Sequence, residues 1–567
     1  MSDTAAGLLQ LVVLLVLVAA AWRPLGDWMA HVYTTEKHWR VERAIYRVTR
    51  VDPDSDQRAG TYALAILAFS FVGVVLTYLI QRLQGFLPFD ATAAGESKGA
   101  VDPSVAFNTA ISFVTNTNWQ SYVPETTMGH VANAAALGVQ NFVSAAVGMA
   151  VAVALIRGFV RSRSGRIGNA WVDIVRGTVR VLAPIATVLA VVLVACGVVM
   201  SFRTGITLTA ADGSTHAAAI APVASQEAIK ELGTNGGGIL NANSAHPFEN
   251  PNGVSNLLEI LAILLIPVSL TRTFGRMVGD VRQGVSLLAV MATLWGGMLA
   301  VIWAAEAHAP ALTGGGMEGK ETRYGIPSSA LFADTTTGTS TGAVNSLHDS
   351  YTAFGGGGTL LNMLFGELSP GGVGTGLYSI LVIAIIAVFL AGLMVGRTPE
   401  LLGKSLGRRE VTCAAIVVLV MPALVLLGTG AAVVLPGTSD AMTNSGPHGL
   451  SEVLYAFASA ANNNGSAFGG LTVTSPFFQI ALGAAMLFGR FLPILAVLAL
   501  AGLLSAQPRR AESAGTLRTG TPLFAGLVTA TVVLVSAITF LPALALSPIA
   551  EGLTATAQVS AQNGASR

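Results

Sequence analysis

Four glycine- and amide-rich segments lie between long apolar stretches: Thr115-Asn116-Thr117-Asn118, Thr234-Asn235-Gly236-Gly237, Ser340-Thr341-Gly342-Ala343 and Asn462-Asn463-Asn464-Gly465. Gly and Asn are poor formers of membrane helix, so these segments predict non-helical backbone at membrane depth. Such backbone is tolerated only where protein buries it or a wet cavity lies alongside. Four short loops whose carbonyls face one axis have the make-up of an ion selectivity filter.

The apolar stretches fix the class. Hydrophobic residues make up 52% and charged residues 11% of the 567 positions, against about 25% charge in a soluble domain. Runs of about 20 apolar residues cross a bilayer. Ten such runs start near Leu8, Tyr62, His130, Val179, Val254, Val285, Gly376, Val411, Pro476 and Pro522. The first, Leu8 to Trp22, has no Lys or Arg before it and Arg23 after it, unlike a signal peptide, and reads as a retained span. Counted by side, 23 of the 31 basic residues follow the odd-numbered spans, and one, Arg490, sits within a span. The positive-inside rule then puts both termini outside. The net charge of +1 gives no field to steer nucleic acid. The two cysteines, Cys196 and Cys413, lie in apolar runs, which argues against a disulfide framework or a zinc site.

All four amide-rich segments fall on the outer side, each after a half-apolar stretch too short to cross, such as SVAFNTAISFV (Ser104 to Val114) or LSEVLYAFASAA (Leu450 to Ala461). The expected fold is an all-α polytopic membrane protein with ten transmembrane helices and four re-entrant pore loops in a pseudo-fourfold, channel-like arrangement. Its repeats would span 62–158, 178–272, 283–396 and 410–505, with extra spans at 1–30 and 520–546. Backbone carbonyls replace the water of a monovalent cation without fixed negative charge. Gly permits the angles that aim them inward, and Asn and Thr can brace the loop or add oxygens. The absence of Asp and Glu from the turns favours potassium over calcium or magnesium.

Five segments carry a family resemblance: FVTNTNWQSY (Phe113 to Tyr122), ELGTNGGGILNANSAHPFENP (Glu231 to Pro251), GAVNSLHDS (Gly342 to Ser350), GLMVGRTPE (Gly392 to Glu400) and SEVLYAFASAANNNGSAFGGL (Ser451 to Leu471). In order and over essentially the whole chain, they resemble the potassium-binding subunit of the bacterial Kdp potassium-transporting ATPase. The resemblance implies a subunit of the bacterial inner membrane that binds potassium from outside and passes it inward. ATP would be used by a separate P-type ATPase catalytic subunit. A small single-span subunit and a small lipid-bound peptide would complete the complex, and no organic cofactor is implied. The family's filter falls on Asn116, Thr117 and Asn118; Thr234, Asn235 and Gly236; Ser340, Thr341 and Gly342; and Asn463, Asn464 and Gly465. Gln120 matches a position that influences potassium affinity.

Between Gly366 and Gly376 the chain carries five Gly in eleven residues, with Pro370, and will not stay helical. The resemblance places a broken helix here. Its loop, with Gly371, Gly372 and Gly374, would lie beneath the filter and gate the pore. An intramembrane Arg490 is costly unless it faces water or a partner, and it is expected at the cavity or gate. Arg397, in Gly396-Arg397-Thr398-Pro399, is a second gate or anchoring candidate. Glu125 and Asp349 are candidates to concentrate cations at the mouth.

No energy source is apparent. Gly314-x-x-x-x-Gly319-Lys320 ends in Glu321 where a phosphate loop needs Ser or Thr, and Gly403-Lys404-Ser405 lacks the first Gly. No Asp-Lys-Thr-Gly occurs. The eight histidines show no pair at metal-ligand spacing. The alternative to a transport subunit is a stand-alone potassium channel or an ion-gradient-driven uptake protein of the same architecture.

Overall fold

The computed structural model describes residues 2–309, 315–394, 396, 399–510 and 517–565, with side chains as far as 557 in the last of these. Arg397 and Gly314 lie outside the described residues.

Ten helices among the described residues are long and apolar enough to cross a membrane: Asp3–Thr34, Ala59–Phe86, His130–Val160, Ala170–Cys196, Gly253–Val278, Val281–Ala307, Thr375–Met394, Arg408–Val434, Pro476–Ala506 and Pro522–Ala557. They correspond one to one with the ten apolar runs. Their ends reach further than hydropathy indicated. Span four starts at Ala170 rather than near Val179, because Asn169 caps it by accepting the amides of Trp171 and Val172. Span one continues past Arg23 to Thr34, and Asp27 there pairs with Arg272 at 2.9 Å. The chain after span ten stays helical to Ala565, beyond the expected end at 546.

Span three is the centre of the molecule. In its most apolar 18 residues 83% are buried, against 11% in span one, so span three is wrapped by protein and span one is not. Its small residues allow close packing: Gly158 lies against the backbone of Ala501 in span nine, and Gly148 against Val373 and Gly374 of the loop before span seven. One end of span three is fixed by Arg157, which holds Asp173 at 2.5 and 2.9 Å, while the Tyr62 hydroxyl donates to Asp173 at 2.9 Å. Arg157, Arg161 and Arg176 line one polar cavity with Glu36, His38 and Asp54.

Shorter helices fill the connections. Pro103–Val114, Val223–Leu232, Gly325–Gly338 and Gly446–Asn462 each precede one amide-rich turn. A fifth, Ala353–Leu364, precedes the glycine-rich loop before span seven. The described strands form three two-stranded antiparallel pairs. The largest joins Gly205–Thr209 to Thr215–Ala219, with Gly205 opposite Ala219.

Candidate functional site

Each short helix ends where its sequence turns to amides and glycine, and left-handed backbone follows: Asn116 at φ 67°, Asn118 at 58°, Thr234 at 47°, Gly342 at 74°, Asn463 at 61° and Gly465 at 101°. Ser112 O accepts the amides of both Thr117 and Asn118, folding the first turn back on its helix. Lys230 O and Ser459 O accept Asn235 N at 2.8 Å and Asn464 N at 2.9 Å in the second and fourth turns.

The four turns meet. A Cβ on Gly236 would stand 2.8 Å from Thr341 O and 3.1 Å from Thr117 O, so turn two touches turns one and three. A Cβ on Gly342 would overlap the Asn464 carbonyl of turn four, and one on Gly465 would overlap the Thr117 carbonyl of turn one. Carbonyl oxygens of Thr117, Thr341 and Asn464 thus crowd the glycines of neighbouring turns, where no side chain fits.

The amide side chains link the turns. Asn116 Nδ2 donates to Thr234 O at 2.7 Å. Asn463 Nδ2 donates to Thr117 Oγ1 at 2.9 Å, and Asn464 Nδ2 to Thr339 O at 2.7 Å. Span three supplies shared anchors. Asn118 Nδ2 and Asn235 Nδ2 donate to Oδ1 and O of Asn141, and Ser144 Oγ donates to Asn116 Oδ1. Thr341 Oγ1 lies 2.5 Å from Thr339 Oγ1, so its hydroxyl is occupied within its own turn. Gln120 holds Gly238 from both sides, accepting its amide at 2.9 Å and donating to its carbonyl at 3.1 Å.

The glycine-rich loop lies against two of the turns. Val373 N donates to Thr234 Oγ1 at 2.8 Å, Gly371 N donates to Gly338 O at 2.9 Å, and Ser340 Oγ donates to Glu367 Oε2. Gly371 and Gly374 take left-handed backbone at 83° and 86°, and Gly374 sits where a Cβ would enter the backbone of span three. Gly372 packs on Ser340. Arg490 is buried and donates to Ser144 O at 3.3 Å. It lines a cavity of about 110 Å³ with Ser340, Glu367, Thr375, Tyr378 and Asn463.

The remaining candidates take other places. Glu125 accepts Asn241 N at 2.9 Å, tying the connection after turn one to that after turn two. Asp349 is not a free mouth charge. It pairs with His448 Nε2 at 3.0 Å, and His448 Nδ1 reaches Glu551 at 2.8 Å. Spacing along the chain could not have revealed that group. Lys320 is buried against Glu306 at 2.8 Å, unavailable to a phosphate. Lys404 donates to the carbonyls of Arg161 and Gln507.

Two features escaped the sequence reading. Glu367 carries no sequence signal of its own within the glycine-rich stretch. The sequence Glu227-x-x-Lys230-Glu231 puts three charges on one helical face, a spacing that could have flagged them.

Ten apolar helices, with span three buried among them and four short helices whose turns converge beside it, define a polytopic helical membrane protein. The potassium transporter TrkH from Vibrio parahaemolyticus has the same fold, with a TM-score of 0.52 over 85% of this chain and 96% of that one, at 13% identity. The chain belongs to the Potassium-transporting ATPase A subunit family, whose profile matches residues 12–553. Its relatives include the potassium-transporting ATPase potassium-binding subunits of Rhodococcus opacus, 62% identical, and Nocardia farcinica, 61% identical, each over 98% of this chain and 100% of the relative. That of Streptomyces coelicolor is 58% identical over the same shares.

Proposed function

We propose that this chain selects potassium from the outer side of the bacterial inner membrane and passes it to an ATP-hydrolysing partner subunit for inward transport. The observation that carries this reading is the mutual approach of the four turns, in which Gly236, Gly342 and Gly465 leave room only for neighbouring carbonyl oxygens. A ring of carbonyls replaces the hydration shell of an alkali cation at no cost in buried charge. In this reading the filter comprises Asn116 to Asn118, Thr234 to Gly236, Ser340 to Gly342 and Asn463 to Gly465, one turn from each of four span–short helix–turn–span repeats. The short helices enter and return on the outer face, and both termini lie outside.

Below the turns, the loop bearing Gly371, Gly372 and Gly374 acts as the gate, held by Thr234 and Ser340. Arg490 adds a buried positive charge to the cavity that an ion reaches next. That charge disfavours a cation resting there and so favours its release. The names of the relatives support a subunit of an ATPase. A P-type catalytic subunit, a small single-span subunit and a lipid-bound peptide are the proposed partners.

The test is potassium binding by Gly236→Asp beside the unmodified chain. The carboxylate would enter the carbonyls of Thr341 and Thr117, so affinity and selectivity should change strongly, and unchanged values would refute the filter. The likeness in fold to TrkH favours a second reading, a stand-alone potassium pathway. Potassium-stimulated ATP hydrolysis that requires this chain supports the first reading. Potassium flux through the purified chain alone supports the second.

A further inference from the structure

Directly behind the second turn lies a fully buried lysine among glutamates. Lys230 stands on the short helix Val223–Leu232, and its own carbonyl accepts the amide of Asn235 at 2.8 Å. Its ammonium lies 2.7 Å from Glu227, 3.3 Å from Glu249 and 3.5 Å from Glu231, and it donates to Asn243 Oδ1 at 3.2 Å. Lys230, Glu231, Glu249 and Glu259 are all 0% exposed. Three carboxylates thus sit on one buried ammonium, and a fourth, Glu259, lies beside Glu227 and Glu231.

Two partners of the ammonium, Glu249 and Asn243, in turn hold backbone. Glu249 Oε1 accepts the amides of Ile239 and Leu240 at 3.2 and 2.9 Å, just past turn two. Asn243 Oδ1 accepts from Lys230 and also from Val344 N at 3.1 Å, just past turn three. With its oxygen so engaged, Asn243 turns its Nδ2 to the Gly237 carbonyl, at the outer end of turn two. The fit is tight, since a Cβ on Gly238 would stand 2.9 Å from Asn243 Nδ2 and 3.2 Å from both Glu249 oxygens.

We propose that Lys230, acting through Glu249 and Asn243, is a positioning residue that sets the ion discrimination of the outer mouth. The tethered ammonium fixes the orientation of both side chains, and they fix the carbonyl of Gly237 and the spacing between turns two and three. Outer-shell groups of this kind change ion affinity by about 10- to 100-fold when lost, although they never touch the ion. The inference rests on the reading of the turns as the ion path.

The experiment titrates ATP hydrolysis by the purified, intact complex with potassium, rubidium and ammonium. It compares Lys230→Met, Glu249→Gln, the double variant and Gly236→Asp. Lys230→Met and Glu249→Gln should each lower the preference for potassium over rubidium and ammonium by about tenfold. The double variant should be no worse than Lys230→Met, because removing the second charge relieves the carboxylate left unpaired by the first. Preference kept within about twofold in either assembled single variant overturns the inference, as does an equal loss for all three ions. If Lys230→Met does not assemble, the isosteric Glu249→Gln decides alone. A change in Gly236→Asp with none in the lysine–glutamate variants would sink only this inference. No change in any of them would sink the filter as well.

Discussion

The smallest informative perturbation is one methyl group on turn two. Gly236→Ala would put a carbon 2.8 Å from Thr341 O, 3.1 Å from Thr117 O and 3.2 Å from Gly342 Cα. Ordinary contact for such a carbon begins at 3.4 Å, so the tightest contact falls short by about 0.6 Å. All three neighbours are main-chain atoms, and no side-chain rotation relieves them. Turn one is pinned by Asn463 and Asn118, and turn three by Asn464, so the strain must displace the carbonyls themselves. Overpacking of this kind costs about 1–3 kcal/mol. If the carbonyls need their present positions only when they hold the ion, the whole cost appears in binding, and potassium affinity falls about 5- to 150-fold. The assay is potassium-stimulated ATP hydrolysis of the purified complex, with equilibrium rubidium-86 binding and a thermal melt alongside. Gly297→Ala, a methyl added in span six with nothing within 4 Å, is the control and should leave affinity unchanged. A Gly236→Ala complex that keeps both its potassium affinity and its preference over rubidium would refute the convergence of carbonyls as the basis of selection.

Three further outcomes follow from single contacts. Thr234→Val leaves the buried Val373 amide without its acceptor, a loss of about 1–3 kcal/mol; a thermal melt of the complex should show a lower midpoint that Thr234→Ser restores. Gln120→Leu removes both bonds to Gly238, so the potassium concentration for half-maximal ATP hydrolysis should rise while the rate at saturating potassium holds. Burial works against the charged form of His448, which lies outside the spanning helices, but Asp349 and Glu551 outweigh it and push its pKa up to about 10. The folded chain therefore holds a proton that the unfolded chain releases near pH 6.5. This contribution to stability is complete below about pH 6.5 and is lost as pH rises through about 10. Melts between those limits should decline more steeply for the unmodified protein than for His448→Gln, and parallel slopes would exclude the ion pair.

The spans were legible because burial in lipid leaves a signal in every window of the sequence. The turns were legible because Gly and Asn favour the left-handed backbone that ends the short helices, as at Gly465 and Asn463, even though Thr234 adopts it as well. What escaped depends on contacts between distant residues. Asp349 and His448 lie 99 residues apart, and Ser340 and Glu367 lie 27 apart. The clustering of Glu249 on Lys230 needs the connection after turn two to fold back on its own short helix. Hydropathy also understates helices that run on past the apolar core, which is why span one continues beyond Arg23 to a partner for Asp27.

The choice of asparagine over aspartate in these turns has a further physical reason. The charge argument alone says that carbonyls suit a monovalent ion and that carboxylates do not. The geometry adds that each bracing asparagine uses its NH₂ group on another turn or on span three: Asn116 on Thr234 O, Asn463 on Thr117 Oγ1, Asn464 on Thr339 O and Asn235 on Asn141 O. An ionised aspartate has no hydrogen to give, so the isosteric change would set lone pair against lone pair in a buried site while adding a negative charge to it. Asn116 engages the Thr234 carbonyl and Val373 engages the Thr234 hydroxyl, so Thr234 ties turn two to turn one and to the glycine-rich loop. The stretch beyond Thr234 is held in place by Gln120, Asn243 and Glu249.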